Sequence, residues 1–506
     1  MGVRIEMSSG TGQTRTLRVM ITVGVLACIG GSAKAEDISR FCVVPVKDGA
    51  ATPADVNNAW RITDFSFRIP GLPSLVFTPS NRRGQWTIDA SRRLVPYAGV
   101  FPHSFLDRGR WVREPWSSRV VSVTYGGGLM PGGGVAVLRP GGAGFEQIDP
   151  RSFHSVHVLP RRKVSVVTSS KDGPLIVGDR ELMPWLSREQ LSARDVRGIY
   201  SLHDAPSLNA TVVLDLDRRV YILTDDDEWH RVGTLDKDDY GRLLDAPGSQ
   251  GVLLAANRSV IFIRKDADGR HFHATVLDSG RSYGASFPFK LSGLFGQILA
   301  YSKGGILGRG RGWRRLLGDE FESIPGGDIG LSDLLTPYGG HIEDLTTIGR
   351  TMIEGRDAMF LYDGKTLTPV GGGEWSVIGE LPRVYDLPSI GRVVVTTKRG
   401  MFELTRKGTL IAIPTPFPAD GLPMPQIADW PDSGVALVAT RSGLFTLDSD
   451  LAAKPIPGSE AVGFLSLSTF SGINPGTGEM VLTGAHALFL AVDGERTHDG
   501  VCRERH

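Results

Sequence analysis

The stretch Gly434–Asp450 reads GVALVATRSGLFTLDSD. An apolar run leads into a polar Thr-Arg-Ser-Gly step, and a second apolar run then ends in aspartates. Short apolar segments on either side of a polar, glycine-containing turn are typical of a β-hairpin. The stretch therefore predicts two antiparallel strands joined at Thr440–Gly443.

Similar hairpin sequences recur along the chain. Each has an apolar strand, a polar turn with Arg, Asn, Asp or Gly, and a second strand with an aromatic residue near its start. They are VVLDLDRRVYIL from Val212, VLLAANRSVIFI from Val252, MIEGRDAMFLY from Met352, VVVTTKRGMFEL from Val393 and MVLTGAHALFLA from Met480.

The spacing of these hairpins is regular. Equivalent second-strand positions are 41 to 53 residues apart, and the last three intervals are 42, 43 and 44 residues. A period of about 40–50 residues built from short strands is typical of β-propeller blades, whereas helical solenoids repeat pairs of helices. The equivalent positions are Tyr221, Phe262, Leu307, Phe360, Phe402, Phe445 and Phe489, with weaker matches at Val95, Phe145 and Met183. We expect Phe402, Phe445 and Phe489 to be buried between adjacent blades.

Two further strands complete each unit. A strand-like piece such as Arg383–Leu387 precedes the hairpin, and a tryptophan opens another strand after several hairpins, at Trp111, Trp229, Trp313 and Trp375. We interpret these tryptophans as packing between blades rather than as a ring of ligand contacts. The best helical candidate, Ser187–Val196, is one or two turns long. We therefore expect an all-β fold, a single β-propeller of seven to ten four-stranded blades over residues 36–506.

The repeat resembles those of exported and sensor-associated bacterial β-propellers, whose blades read like the LVATRSGLFTLD of Leu437–Asp448. The resemblance covers most of residues 36–506. It lacks the Gly-His and Trp-Asp pairing of WD repeats. It implies a propeller fold with a binding surface and no specific activity.

Charge and composition narrow the class of protein. The 506 residues include 56 Lys+Arg against 55 Asp+Glu, so no basic excess indicates a nucleic-acid partner. The 64 glycines follow no G-X-Y period, which excludes collagen and favours a turn-rich chain.

Residues 1–35 have the features of a secretory signal peptide. Arginines precede the apolar run VMITVGVLACIGG, and Ala33-Lys34-Ala35 supplies an A-x-A cleavage pattern. We expect cleavage after Ala35 and a periplasmic or secreted protein that begins at Glu36. The alternative is a lipoprotein anchored through Cys28, although Leu26 fits that motif poorly. No later stretch approaches the ~20 apolar residues of a transmembrane helix.

Cleavage would leave two cysteines, Cys42 and Cys502, at opposite ends of the chain. In an oxidising compartment an even pair indicates a disulfide. A propeller has to bring its first and last segments together to protect its edge strands. We expect the strand around Cys42 to pair into the final blade and the two cysteines to form a disulfide that closes the ring. The alternative is two free thiols.

Glycine and carboxylate clusters are candidate ligand sites. Gly126–Gly144 is rich in glycine, but the Lys and helix of a phosphate-binding loop do not follow it, so we interpret it as a surface loop. Carboxylates gather at Asp225–Glu228, Asp236–Asp239 and Asp266–Asp268. Calcium needs more oxygen ligands than these fragments offer, and we interpret them as turns.

Histidines form two close pairs, His154 with His157 and His271 with His273. Residues two apart share one face of a strand, but no third ligand can be assigned, and we interpret them as solvent-facing. The basic Arg309–Arg315 segment divides its arginines between two strand faces, which favours a solvated hairpin over a polyanion site. No Gly-x-Ser-x-Gly elbow is present. We therefore assign no catalytic residue, and we expect no metal and no cofactor.

These features favour a binding scaffold for a protein or cell-envelope ligand, and we expect a monomer. The alternative is a periplasmic propeller enzyme of lactonase, lyase or glycosidase type, with carboxylates from several blades in the central channel. Such a site leaves no local motif. The sensor half of a signalling system is a third possibility, weakened by the lack of a transmembrane segment. Fold alone does not decide between them.

Overall fold

The computed structural model of the protein describes twenty-three segments of the chain. By its contacts the chain divides into Met1–Ile38 and Ser39–His506, and every described residue belongs to the second unit. The described residues are 40–46, 76–77, 86–89, 91–96, 109–124, 134–139, 145–169, 173–235, 242–255, 259–266, 268–269, 271–279, 289–303, 311–318, 320–327, 341–354, 359–373, 382–417, 424–459, 470–473, 478–483, 488–496 and 502–504.

The described chain begins with β1 (Phe41–Pro45) and continues through five antiparallel sheets, which we call blades 1 to 5. Blade 1 contains β2 (Val76–Phe77), β3 (Trp86–Ile88) and β4 (Leu94–Pro96). Blade 2 contains β5 (Gly109–Arg113), β6 (Val120–Thr124), β7 (Gly134–Leu138) and β8 (Glu146–Asp149). Blade 3 contains β9 (Ser155–Leu159), β10 (Val164–Ser169), β11 (Gly173–Val177) and β12 (Leu182–Pro184). Blade 4 contains β13 (Ile199–Ala205), β14 (Ala210–Asp215), β15 (Arg219–Thr224) and β16 (Trp229–Thr234). Blade 5 contains β17 (Arg242–Ala246), β18 (Gly251–Ala255), β19 (Ser259–Lys265) and β20 (Phe272–Ser279).

Blades 6 to 10 follow in the same order. Blade 6 contains β21 (Phe289–Ser292), β22 (Gln297–Lys303), β23 (Arg311–Leu317) and β24 (Glu320–Ser323). Blade 7 contains β25 (His341–Leu345), β26 (Arg350–Glu354), β27 (Met359–Tyr362) and β28 (Leu367–Pro369). Blade 8 contains β29 (Arg383–Leu387), β30 (Arg392–Thr397), β31 (Gly400–Leu404) and β32 (Leu410–Ala412). Blade 9 contains β33 (Gln426–Trp430), β34 (Val435–Thr440), β35 (Gly443–Leu447) and β36 (Ala453–Pro455). Blade 10 contains β37 (Phe470–Ile473), β38 (Met480–Thr483), β39 (Leu488–Arg496), β40 (Cys502–Glu504) and also β1.

The predicted propeller is confirmed. Among the described residues there are ten sheets, of which eight have four strands, blade 1 has three and blade 10 has five. The one α-helix described, α1 (Arg188–Ser192), begins with a capping box in which Ser187 and Gln190 bond each other's backbone N–H groups. It lies within the predicted Ser187–Val196 segment.

The predicted hairpins form with the expected register. In blade 9, Val438 lies opposite Phe445, and Thr440 lies opposite Gly443, whose φ of 133° suits glycine at the turn. The recurrent aromatic position falls on the third strand of every later blade in which it is described. Its members are Tyr221, Phe262, Phe360, Phe402, Phe445 and Phe489.

Two of the weaker upstream repeat positions lie one strand later in their blades than the repeat predicts. Phe145 comes just before β8, and Met183 lies on β12, and both of these are fourth strands. The third strands of blades 2 and 3 read GVAVL and GPLIV, without an aromatic residue. In blades 2 and 3 the repeat alignment therefore selected the next large apolar residue, which lies beyond the third strand. Val95 lies on β4, the third of the three strands described in blade 1.

Blades pack face to face through their middle strands. These are runs of β-branched and aliphatic residues buried on both faces, as in β14 (ATVVLD), whereas fourth strands such as β32 are largely exposed. Val212 and Ile222 of blade 4 pack against Val252 and Ile263 of blade 5. Comparable apolar clusters join each neighbouring pair from blade 2 to blade 10.

The predicted burial of the repeat phenylalanines is only partly correct. Phe445 is buried between blades 8 and 9, where its ring centroid lies 4.5 Å from that of Phe417. Phe489 is partly buried in the core between blades 9 and 10. Full burial of Phe402 is wrong, because this residue is only partly buried on β31.

The ends of the chain meet in blade 10. Strand β1 pairs antiparallel with β39, with Cys42 opposite Val492, and so becomes the outermost strand of the last blade. The predicted disulfide between Cys42 and Cys502 is formed, with their Cα atoms 6.1 Å apart. The cysteines are not paired with each other in register, because Cys502 lies opposite Arg496, farther along β39.

Blade 10 also contacts blade 1. Val481 and Leu490 share an apolar cluster with Ile88 of blade 1, and the cluster includes Cys42. The guanidinium of Arg92, in the β3–β4 turn, lies 2.7 Å from a carboxylate oxygen of Glu479. The disulfide therefore lies where the last blade meets the first.

Candidate functional site

The first strands of neighbouring blades lie against one another, so we call them the inner strands and the turn after each one its inner turn. In blades 3, 4 and 5 the inner turn is a single 3₁₀ turn that begins with proline and ends in a left-handed residue. Proline presets φ for the first helical position. The three turns are Pro160–Arg162, Pro206–Leu208 and Pro247–Ser249.

An aspartate recurs near the end of the inner strand, two residues before the inner turn begins. We call this set the inner aspartates. Its members are Asp204, Asp245, Asp344, Asp386 and Asp429.

Four inner aspartates accept hydrogen bonds from the inner turn of the preceding blade. Asp386 accepts from the backbone N–H and the hydroxyl of Thr346, each at 2.7 Å. Asp344 accepts the backbone N–H of Leu294 at 3.1 Å. The other two bonds are donated by serine hydroxyls, Ser207 to Asp245 and Ser389 to Asp429. Each bond links one blade to the next at its inner edge.

Asp204 of blade 4 is the exception. Its carboxylate is 7% exposed, and in the described part of the chain neither oxygen has a hydrogen-bond partner. The inner turn of blade 3 carries Arg161 at the position that Ser207 occupies in blade 4 and Ser389 in blade 8. The Arg161 Nη1 atom lies 4.0 Å from Asp204, which is within ion-pair distance but beyond hydrogen-bond distance, and the Nη2 atom of the same guanidinium bonds Asp225.

Asp204 lines a cavity of about 670 Å³ formed by the inner strands of blades 3, 4 and 5. We call it the inner cavity. Its polar lining consists of two imidazoles, two carboxylates, a phenol and a hydroxyl, interspersed with Val, Leu and Pro. These polar residues are His157, Tyr200, Ser201, His203, Asp204 and Asp245.

The two histidines meet across the boundary between blades 3 and 4. Their ring centroids are 6.1 Å apart in an edge-to-face arrangement. His157 Nε2 lies 2.6 Å from the Ser155 hydroxyl, which in turn lies 2.6 Å from the Thr168 hydroxyl. This chain of hydrogen bonds orients the His157 ring toward the cavity wall.

Burial shifts the pKa values of the cavity residues toward their neutral forms. Desolvation lowers the pKa of His203 to about 4, so this imidazole is neutral at physiological pH. Desolvation also raises the pKa of Asp204, although the backbone and guanidinium of Arg161 oppose that shift. Desolvation raises the pKa of Asp245, and the Ser207 hydrogen bonds partly offset it. The cavity thus combines two carboxylates whose pKa values are raised by burial with the neutral imidazole of His203.

The predicted pair His271 and His273 lies outside the inner cavity and is exposed to solvent, as predicted. His273 is on β20, the outer strand of blade 5, with its side chain 62% exposed and Nε2 2.7 Å from Asp266. His271 is exposed just before that strand. The interpretation of His157 as solvent-facing is wrong, because His157 is half-buried on an inner strand.

The carboxylate clusters that are described form turns. Asp225–Glu228 joins β15 to β16, with Asp227 in a left-handed conformation, and Asp266–Gly269 joins β19 to β20. No group of three or more His, Cys, Asp or Glu side chains in the described segments is arranged to hold a metal ion. The Asp236–Asp239 cluster lies outside the described residues.

The remaining candidate segments are only partly described. Within Gly126–Gly144, residues Gly134–Leu138 form a buried strand. Within Arg309–Arg315, Trp313 is buried between blades 6 and 7, and Arg314 is buried as well, so this strand is less solvated than predicted. Trp313 lies inside β23, whereas Trp229 does open β16. Trp375, Leu307 and the 1–35 segment lie outside the described residues.

His203, Asp204 and Asp245 were not identified from the sequence. A signal was present, since Asp204-Ala-Pro and Asp245-Ala-Pro repeat at equivalent places one blade apart. Only the register of three separate blades brings these residues to one cavity.

No helix in the described part of the chain has the length and apolar character needed to cross a membrane.

No protein-family model matches this chain, and no curated protein matches it. Several solved structures are similar to it. A streptogramin B lyase aligns over 58% of this chain and 92% of its own, with 9% identity and a TM-score of 0.24. PorZ, a surface component of the type-IX secretion system of Porphyromonas gingivalis, aligns over 85% and 61%, with 14% identity and a TM-score of 0.26. A eukaryotic initiation factor aligns over 75% and 94%, with 10% identity and a TM-score of 0.39. Likenesses this distant assign no activity to the chain.

Proposed function

We propose that this chain is an exported β-propeller that binds a protein or cell-envelope component, and that the inner cavity receives one polar group of that ligand. One observation carries the proposal: Asp204 is a buried carboxylate without a hydrogen bond, and it faces a cavity. Buried polar groups in proteins are nearly always hydrogen-bonded, and the exceptions commonly have a functional reason. A ligand that donates to Asp204 would satisfy it.

Export is supported by two features. The 1–35 segment has the pattern of a cleaved signal peptide. The Cys42–Cys502 disulfide is of a kind that persists in oxidising compartments. Mass spectrometry of the protein recovered from the periplasm or medium should find Glu36 at the N-terminus. A lipid-modified Cys28 would instead indicate membrane anchoring.

A photocrosslinker in the cavity tests the binding site. We would replace Ser201, which lines the cavity, with p-benzoylphenylalanine and irradiate cells that export the variant. A matched variant carries the same group at Val276, which is 58% exposed on the outer strand of blade 5. One discrete adduct from position 201 and none from position 276 is the expected result. Equal labelling at both positions, or none at 201 in a folded variant, would contradict the proposal.

An enzyme is the second candidate, and one observation favours it. Asp204 and Asp245 enter the same cavity, and burial raises the pKa of both, as general acid–base catalysis at neutral pH often requires. We would assay chromogenic glycosides and lactones with the wild type, Asp245→Asn and the exposed-turn control Asp226→Asn. Turnover that survives in the control and is lost in Asp245→Asn would favour the enzyme over the scaffold.

A further inference from the structure

We propose that the group held in the inner cavity is a primary ammonium, with Asp204 as its principal anchor and Asp245 as its second carboxylate. This inference deepens the proposed function and depends on it only for the identity of the larger ligand.

Charge selects a cation over a neutral ligand. The cavity contains two carboxylates, and the guanidinium nearest to Asp204 is already engaged by Asp225. Asp204 and Asp225 share the one guanidinium of Arg161, so carboxylates outnumber cations here, and a sugar hydroxyl that donated to Asp204 would leave that excess of negative charge in place. His203 is held neutral by burial and supplies no positive charge.

Donor geometry selects an ammonium over a metal ion. An ammonium has three donors and no acceptor, and each of its hydrogens needs one acceptor. The cavity provides the Asp204 and Asp245 carboxylates and the neutral imidazole of His203 as acceptors. In the described segments these groups do not form a set of three that is arranged to hold a metal ion.

Comparison between blades shows what makes Asp204 available. Asp245 stands in the same Asp-Ala-Pro sequence as Asp204, yet it is satisfied by Ser207 of the preceding inner turn. For Asp204 the residue at that turn position is Arg161, whose Nη2 atom bonds Asp225 while its Nη1 atom lies 4.0 Å from Asp204. This one substitution in the repeat therefore removes the hydroxyl donor from one inner aspartate, and it does so at the wall of the cavity.

Two variants separate this site from a purely structural carboxylate. Asp204→Asn removes the charge and should weaken ammonium binding roughly ten- to hundred-fold, the range for a hydrogen bond to a charged group. Asp226→Asn, in the exposed acidic turn, should leave binding unchanged.

The experiment is calorimetric titration of the full chain with three probes. They are putrescine, Nα-acetyl-lysine methylamide and glucosamine, each compared with a neutral partner: 1,4-butanediol, Nα-acetyl-norleucine methylamide and N-acetylglucosamine. We expect at least one amine to bind and its neutral partner to bind at least tenfold more weakly. The amine that binds best identifies the source as a free polyamine, a lysine side chain or an amino sugar.

The pH dependence gives an independent measurement. The titratable groups that line the cavity are Asp204, Asp245, His157, His203 and Tyr200, and Arg161 lies behind Asp204. Because burial raises the pKa of Asp204, binding should weaken on acidification at a pH above its ordinary value of 3.8. Binding that is equal for amines and neutral partners, or that survives unchanged in Asp204→Asn, would overturn the inference.

The two proposals fail separately. A crosslink from position 201 with no preference for amines would retain the binding function and reject the ammonium. Amine binding abolished by Asp204→Asn, with no crosslink to any envelope component, would retain the ammonium site and reject the larger ligand.

Discussion

Ser389 in the inner turn of blade 8 donates its hydroxyl to the carboxylate of Asp429 in blade 9. The two residues are 40 apart in sequence, close to one repeat, and the backbone N–H of Ser389 also bonds Asp429 at 3.2 Å. Since Ser207 and Asp245 make the same contact at a separation of 38, the repeat encodes a link between blades as well as a strand pattern.

Removing that link should destabilise the ring. Asp429→Ala leaves the Ser389 backbone N–H without its acceptor and leaves the hydroxyl only the Val435 carbonyl at 3.1 Å, and an unsatisfied buried or half-buried donor costs about 1–3 kcal/mol. The control Asp450→Ala, in an exposed turn, should stay within about 0.5 kcal/mol of the wild type. Chemical denaturation of both variants measures the difference. Equal stabilities would mean that the inner aspartates do not hold the blades together.

The disulfide should stabilise the closed ring. Cys42 and Cys502 are 460 residues apart, and the chain-entropy account gives about 6 kcal/mol for a loop of that length, although measured effects are commonly about 2–5 kcal/mol. The Cys42→Ser/Cys502→Ser variant should therefore unfold at a lower temperature, and reduction of the wild type should reproduce the shift. Two free thiols in the denatured, unreduced wild type would contradict the disulfide.

Local patterns and ring closure were predictable from the sequence, because each follows from a rule that acts on nearby residues or on the ends. The hairpin at Thr440–Gly443 needs only its own strands and turn. The Cys42–Cys502 bond follows once the repeat implies a closed ring. The cavity was not predictable, because its two Asp-Ala-Pro sequences are identical. They are distinguished only by the residue that the preceding inner turn places beside each aspartate, Arg161 for Asp204 and Ser207 for Asp245.

The repeat phenylalanines should differ in their contributions to stability. Phe445→Ala removes a buried ring that contacts Phe417, and such deletions cost about 3–5 kcal/mol. Phe402 occupies the equivalent position but is only partly buried, so Phe402→Ala should cost less. Denaturation midpoints of the two variants test the comparison. A smaller loss for Phe445→Ala than for Phe402→Ala would show that the assignment of the two environments is wrong.

Asp204 should be a residue that lowers the stability of the ligand-free protein. Burial raises its pKa in the folded state above the ordinary value of 3.8, so the folded protein binds the extra proton more tightly than the unfolded chain. Stability should consequently fall as pH rises from 3.8 through the folded pKa, and the penalty should be complete above it. Asp204→Asn removes this charge, and its melting temperature should equal or exceed that of the wild type at pH 8, with the advantage shrinking toward pH 4. Asp429→Asn provides the contrast, because Asp429 accepts two hydrogen bonds from Ser389 and its replacement should lower the melting temperature at pH 8. Calorimetric scans of the three proteins at pH 4, 6 and 8 measure both effects, and a marked loss of stability in Asp204→Asn at pH 8 would show that Asp204 is a structural residue.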